Sequence, residues 1–171
     1  MYFSKLCIMK EVLASFAAYN VWANEKLTGL ILSLPPEKQV AGLPSSFKTL
    51  QATILHMWDT ESVWWQRMKM VEHVIAPSKF FTGSVTDTCE GLMKQSMKWN
   101  NWVMDASSVA LDHVFAYQNT KKEQFKQPVY QVLLHVFNHA TYHRGQIVNM
   151  LRQLEIDKIP ATDFIEWSRR K

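Results

Sequence analysis

Apolar residues recur every three to four positions over four stretches of twenty or more residues, and each stretch is closed by residues a helix does not run through. That pattern constrains the chain more than any other feature it has. The first stretch runs from about Lys10 to Leu34 and stops at Pro35-Pro36. Ser45 or Ser46 can cap the second, which is expected to continue to about Val71, with Pro77 in the following linker. The third begins near Ser84 to Thr86 and ends around Ser107. The fourth opens at Pro128, a favoured first-turn residue, and runs to about Leu154. Between the last two, Leu111 to Lys126 alternates in polarity around Asn119-Thr120-Lys121-Lys122, which reads as a short hairpin or irregular connection. Pro160 and Thr162-Asp163 then start a short terminal helix. The expected fold is all-α: a four-helix bundle with a short C-terminal helix, forming one domain over residues 1–171.

The charge balance excludes some functions. Lys plus Arg number 19 against 15 acidic residues, a net +4, and the runs Lys121-Lys122 and Arg169-Arg170-Lys171 fall near a loop and the chain end. Nucleic-acid binding needs a basic stripe along one element, so no nucleic-acid partner is expected. Cys7 and Cys89 stand far apart with no C-x-x-C, which argues against a disulfide framework or a thiolate metal site and fits a reducing cytoplasm. Lys5, Lys10 and Glu11 interrupt the N-terminus before a signal-peptide apolar region can form. The longest uncharged run, Gln127 to Tyr142, is short and carries Pro, Gln, Asn and His, so no membrane association is expected. Seven Trp and nine Met point to a large apolar pocket, an oligomer interface, or simply a Trp- and Met-rich core.

In the fourth stretch, Val132, Val136, His139, Ala140, His143, Ile147, Met150 and Leu154 share one face, with two imidazoles in the middle of it. An i, i+4 pair brings both ring nitrogens within reach of a single ion. The alternative is two core histidines satisfied by hydrogen bonds, but each carries a donor and an acceptor that cost free energy when buried unpaired. A third ligand has to come from another helix. His56, on the stripe of Ala52, Thr53, Met57, Thr60, Val63 and Trp64, is the candidate; His135 competes from the edge of the fourth-helix stripe. His73 and His113 fall near element ends and read as surface residues.

Three imidazoles without the glutamate of H-E-x-x-H separate this pattern from the metalloproteases, and three protein ligands leave a coordination position open. Imidazole suits zinc, nickel, copper and iron alike; a divalent ion, zinc or nickel foremost, is the expected cofactor. Asn20 and Asn24 share a face of the first helix and serve either the pocket or one another. Asp59, one turn after His56, is a candidate to orient that ring or act as a base, and Gln146 projects from the face of His143. The second and fourth helices also carry apolar residues on their outer sides: Phe47, Ile54, Trp58 and Trp65 on one, Leu134, Phe137 and Val148 beside Gly145 on the other. A helix hydrophobic all round is buried all round, so a homodimer pairing these surfaces is expected, with partial cover by the terminal segment as the alternative.

HVFNHATYHRGQ at 135 to 146 resembles the C-terminal signature of the DinB/YfiT-like superfamily, and YNVWAN at 19 to 24 resembles its first-helix motif. SSF at 45 to 47, LHMWDTE at 55 to 61 and PATDF at 160 to 164 agree in order, so the resemblance spans nearly the whole chain. It implies a four-helix bundle, commonly dimeric, with a divalent metal held by three histidines that match His56, His139 and His143. Where relatives often carry a second His before the Arg, Tyr142 stands here, on a side that points away from the metal face. Some members are thiol-dependent S-transferases and isomerases. The family's name does not imply DNA repair for this chain, which has no basic stripe to read a groove.

The leading expectation is therefore a metal-dependent enzyme of transferase or hydrolase type acting on a small-molecule substrate, with a low-molecular-weight thiol as a further candidate cofactor. The alternative is a non-catalytic metal or small-ligand binding protein of a stress response; a third option is a bundle in which the metal only stabilises the fold.

Overall fold

A computed structural model of the chain describes residues 2–170, with side chains from residue 8 onward, so Cys7 and Lys171 lie outside the described side chains. α1 (Tyr2–Ser33) starts well before Lys10, since no Gly or Pro interrupts those first turns. Pro36 then opens the one-turn α2 (Pro36–Gln39), where a proline costs no hydrogen bond.

α3 (Leu50–Met68) is capped by Thr49, whose hydroxyl accepts from the Ala52 amide at 3.1 Å. Ser45 and Ser46 do not cap it, because the Leu43 amide donates to the Lys48 carbonyl at 2.7 Å and holds that stretch as a loop. α3 also stops short of Val71. Met70 turns left-handed (φ 53), and the Met70 and Val71 amides return to the carbonyls of Arg67 and Gln66, a Schellman closure. Glu155, at φ 58, closes the fourth bundle helix in the same way through Arg152 and Leu151.

A 3-10 turn at Pro77–Lys79 leads to α4 (Val85–Asp105), which begins with a capping box between Ser84 and Asp87. α5 (Ser108–Asp112) precedes an antiparallel hairpin, β1 (Val114–Gln118) and β2 (Gln124–Pro128), with Tyr117 opposite Phe125. α6 (Val129–Gln153) and α7 (Phe164–Ser168) complete the chain. Among the described residues no helix is long and apolar enough to cross a membrane.

α1, α3, α4 and α6 form the bundle: α1 and α3 each pack against both α4 and α6, which sets α1 and α3 on one diagonal. The interior has two apolar layers, one around Leu27, Ile31, Ile54, Leu92 and Met150, the other around Leu13, Trp99, Leu133 and Phe137. Between them, at the level of Asn20, Glu61, Ser96 and Arg144, every bundle helix contributes a buried polar side chain.

The surfaces expected to pair in a dimer are largely used within the chain. Ile54 and Phe137 are 0% and 1% exposed. Trp58 covers Gly91 so closely that a Cβ there would stand 2.5 Å from its ring, and it meets Phe81 edge-on. Trp65 packs edge-on against Trp99 at 5.0 Å. Val148 leans on the core, Gly145 has nothing near its Cβ position, and Leu134, 44% exposed, is the one of the set that faces outward. The helices look apolar all round because each has two neighbours: α4 and α6 cover α3, and α1 and α3 cover α6.

Candidate metal centre

His56 comes from the middle of α3, and His139 and His143 from successive turns of α6, where the two helices pack side by side. Their Nε2 atoms converge. His139 Nε2 lies 3.3 Å from His56 Nε2 and 3.0 Å from His143 Nε2, and one ring nitrogen from each residue falls within 4.8 Å of the others. Zn–N bonds of about 2.0–2.1 Å at tetrahedral angles place ligand nitrogens roughly 3.3 Å apart, so this donor set fits one such ion.

Hydrogen bonding alone does not satisfy the cluster. A neutral imidazole nitrogen is either a donor or a one-lone-pair acceptor, whereas His139 Nε2 faces two others of its kind. His143 has its tautomer set by a neighbour. Its Nδ1 lies 2.7 Å from Gln146 Oε1, an acceptor, so Nδ1 carries the proton and donates, and the Nε2 lone pair faces the cluster. The Gln146 amide is oriented in turn, donating through Nε2 to the Tyr142 hydroxyl at 3.3 Å. Tyr142 thus stays outside the converging nitrogens but is not independent of them: its ring also meets His143 edge-on at 5.0 Å.

Phe47 forms one wall, stacked on His56 with ring centres 4.5 Å apart and edge-on to His143 at 5.8 Å. Sequence reading placed Phe47 on the outer side of α3; it precedes the helix and folds back over the site. His135 is not part of the cluster; its ring packs on Trp64 at 5.3 Å and lies 5.8 Å from that of His139. His73 and His113 are exposed, away from the site.

Burial holds all three imidazoles below the ordinary histidine value. His139 is pushed down to about 4 by burial and then by the charges His143, His56 and His135 would carry. His56 is lowered by burial and by His143 against a smaller upward pull from Asp59; His143 is lowered by burial, with the Gln146 bond opposing. The rings are therefore neutral and ready as ligands near pH 7 without proton release. Gln146→Ala frees His143 to turn and is expected to weaken metal binding about ten- to hundredfold in a chelator competition, with little change in fold.

Asp59 does not orient His56 by a hydrogen bond. Its Oδ1 accepts from the Ser78 amide at 2.8 Å and ties the linker to α3. Asn20 and Asn24 do not reach the histidines either. Both accept from Arg144 Nη1, at 2.7 and 2.9 Å, while Asn20 Nδ2 donates to Glu61 Oε1 at 2.9 Å and Asn24 Nδ2 to Ser96 Oγ at 3.1 Å. Sequence reading missed Glu61 and Arg144. The signal was available, since Glu61 continues the Ile54 and Met57 stripe, and Arg144 that of Leu133, Phe137 and Ala140. Cys89 is buried, which pushes its thiol up to about 12, and it contributes nothing to the centre.

The DinB family model matches residues 9–169. The chain is 26% identical over 160 residues to Protein DinB of Bacillus subtilis (strain 168), covering 85% of this chain and 87% of that protein. The crystal structure of a DinB-like protein from Bacillus cereus ATCC 10987 superposes with a TM-score of 0.64 at 16% identity, covering 85% of this chain and 94% of that one, a likeness of fold. With the bundle and the order of its motifs already in view, a match over nearly the whole length leaves one assignment: the chain belongs to the DinB family.

Proposed function

We propose that this chain binds one divalent transition-metal ion through Nε2 of His56, His139 and His143 and uses it to activate a small molecule for group transfer or hydrolysis. The observation that carries this reading is the convergence of those nitrogens at ligand-to-ligand spacing, with the His143 lone pair aimed by Gln146. A bound ion supplies Lewis acidity and lowers the pKa of a water or thiol at the position three protein ligands leave open.

The chain's own residues do the rest. Phe47 shields His56 and His143 on one side, and the His135 and Trp64 rings extend a wall beside His139. Among the described residues no carboxylate is hydrogen-bonded to the three histidines, since Asp59 serves the linker and Glu61 the interior network. With no carboxylate hydrogen-bonded to the histidines, a thiol suits the site better than water, because it ionises far more readily. This favours thiol-dependent S-transfer over hydrolysis.

The lack of a carboxylate on the three histidines among the described residues also supports a second reading, a metal or small-ligand binding protein without catalysis. The two separate when zinc- or nickel-loaded protein is incubated with low-molecular-weight thiols and monochlorobimane, beside a His143→Ala variant. Conjugate forming above background with the wild type alone is the expected result; equal rates for both proteins turn the assignment to the non-catalytic reading.

A further inference from the structure

A cavity of about 580 Å³ lies between the end of α3, the linker that follows it and β1, lined in part by Val63, Arg67, Val74 and Tyr117. Helical spacing puts His56, Val63 and Arg67 on one face of α3, so the cavity and the histidine centre share a floor. A line of ring contacts also leads from the histidines to Arg67. His139 lies 5.8 Å from His135, His135 lies 5.3 Å from Trp64, and the Arg67 guanidinium sits 4.7 Å from the Trp64 ring centre. Those three steps bound the distance from the histidines to Arg67 at the length of one small organic molecule.

Arg67 is held but not neutralised. Its guanidinium also lies 5.4 Å from the Tyr117 ring centre, so Trp64 and Tyr117 fix its place. Yet Arg67 makes no ion pair or hydrogen bond through its side chain among the described residues. Glu72 lines the same cavity, but its carboxylate is turned outward, almost fully exposed and 3.9 Å from His73. Burial disfavours the charged form of Arg67, a penalty that an anionic partner would offset.

We propose that Arg67 binds the carboxylate end of an elongated small molecule whose reactive end reaches the three-histidine centre, which makes the substrate or co-substrate an organic acid. This rests on the metal-dependent reading above and adds to it a second anchoring point. A guanidinium whose place is fixed by two rings offers a planar pair of donors matched to a carboxylate. The apolar and aromatic surface of Val63, Val74 and Tyr117, with Trp64 packed edge-on behind Tyr117, accommodates the methylene chain between the two ends.

The test uses two probes on the zinc-loaded protein, each with a hydroxamate to occupy the ion: suberic acid monohydroxamate, which ends in a carboxylate, and octanohydroxamate, which ends in a methyl. Calorimetric titration is expected to find the carboxylate-ended probe about tenfold tighter. Arg67→Met abolishes that advantage and leaves octanohydroxamate binding unchanged, while Arg67→Lys retains part of it, which separates charge from packing. Equal binding of the two probes to the wild type overturns the proposal, as does an advantage that survives in Arg67→Met or an equal loss for both probes in that variant. Binding of neither probe overturns it differently, by showing that the histidine centre offers no open metal position.

Discussion

Replacing Arg144 with Met lowers the melting temperature of the chain by roughly 10 °C, more than a surface substitution on α6 can. The guanidinium is almost wholly buried where the four helices meet. It donates to Asn20 Oδ1, Asn24 Oδ1 and Thr141 Oγ1 at 2.7 to 2.9 Å, and the two asparagines pass the connection on to Glu61 and Ser96. Ser96 Oγ lies 3.0 and 2.8 Å from the two Glu61 oxygens, and Trp99 Nε1 donates to the Glu61 backbone carbonyl at 3.1 Å. Met fills the space and supplies no donor, so two amide oxygens and a buried carboxyl lose their compensation, which costs about 3–5 kcal/mol.

The deficit depends on pH in a stated direction. Burial raises Glu61 from 4.5 to about 7 against the opposing pull of Asn20, Ser96, Arg144 and Asn24. The folded chain thus keeps a proton that the unfolded chain releases. The stabilisation this gives is complete below about pH 4.5 and is lost as pH rises through about 7. Removing Arg144 raises Glu61 further, so the loss in Arg144→Met is larger at pH 8 than at pH 5. Glu61→Gln flattens the wild-type slope over the same window. Thermal melts followed by circular dichroism at several pH values check both statements.

His139→Ala abolishes high-affinity metal binding. The His139 Nε2 is the one that lies within 3.3 Å of both other ring nitrogens, so its loss removes the centre of the donor set. If about 10 kcal/mol of binding free energy is shared by three ligands, one ligand is worth about 3 kcal/mol, or about a hundredfold in affinity. Metal at a hundred times its dissociation constant stabilises the wild type by about 2.7 kcal/mol, a rise in melting temperature that His139→Ala is expected to lack. Without the ion, the histidine contribution to stability runs opposite to that of Glu61. Unfolded histidines take protons near pH 6.5 and His139 only near 4, so stability is lost as pH falls through that interval.

Much of this was legible in the chain because its punctuation is strong. Pro128 and Leu154 flank α6 as expected, Ser84 caps α4, and the alternating segment around Asn119 forms a hairpin. The histidines stood out because imidazoles occupied positions where the surrounding period called for apolar residues. The cap of α3 was obscured by hydroxyls at 45, 46 and 49, and only the Leu43 to Lys48 pairing selects Thr49.

The core face of α3 was set one residue too far round. Its buried stripe keeps Thr53 and Met57 of the expected face but adds Ile54 and Glu61, while His56 belongs to the flank that meets α6. That rotation set Ile54 on the outer side of α3, among the residues expected to pair in a dimer, whereas it is 0% exposed within the chain. It also hid Glu61, whose spacing from Ile54 and Met57 marks it as a core position, and with it the network that joins Asn20, Asn24, Ser96 and Arg144 across the bundle.

The most direct measurement is a crystal structure of protein purified without an affinity tag, with anomalous data collected above and below the absorption edge of the ion that elemental analysis finds. The account predicts one anomalous peak per chain, about 2.0–2.2 Å from Nε2 of His56, His139 and His143. A chain in which those rings point apart, or a metal peak bound elsewhere with these nitrogens hydrogen-bonded to water, would contradict it.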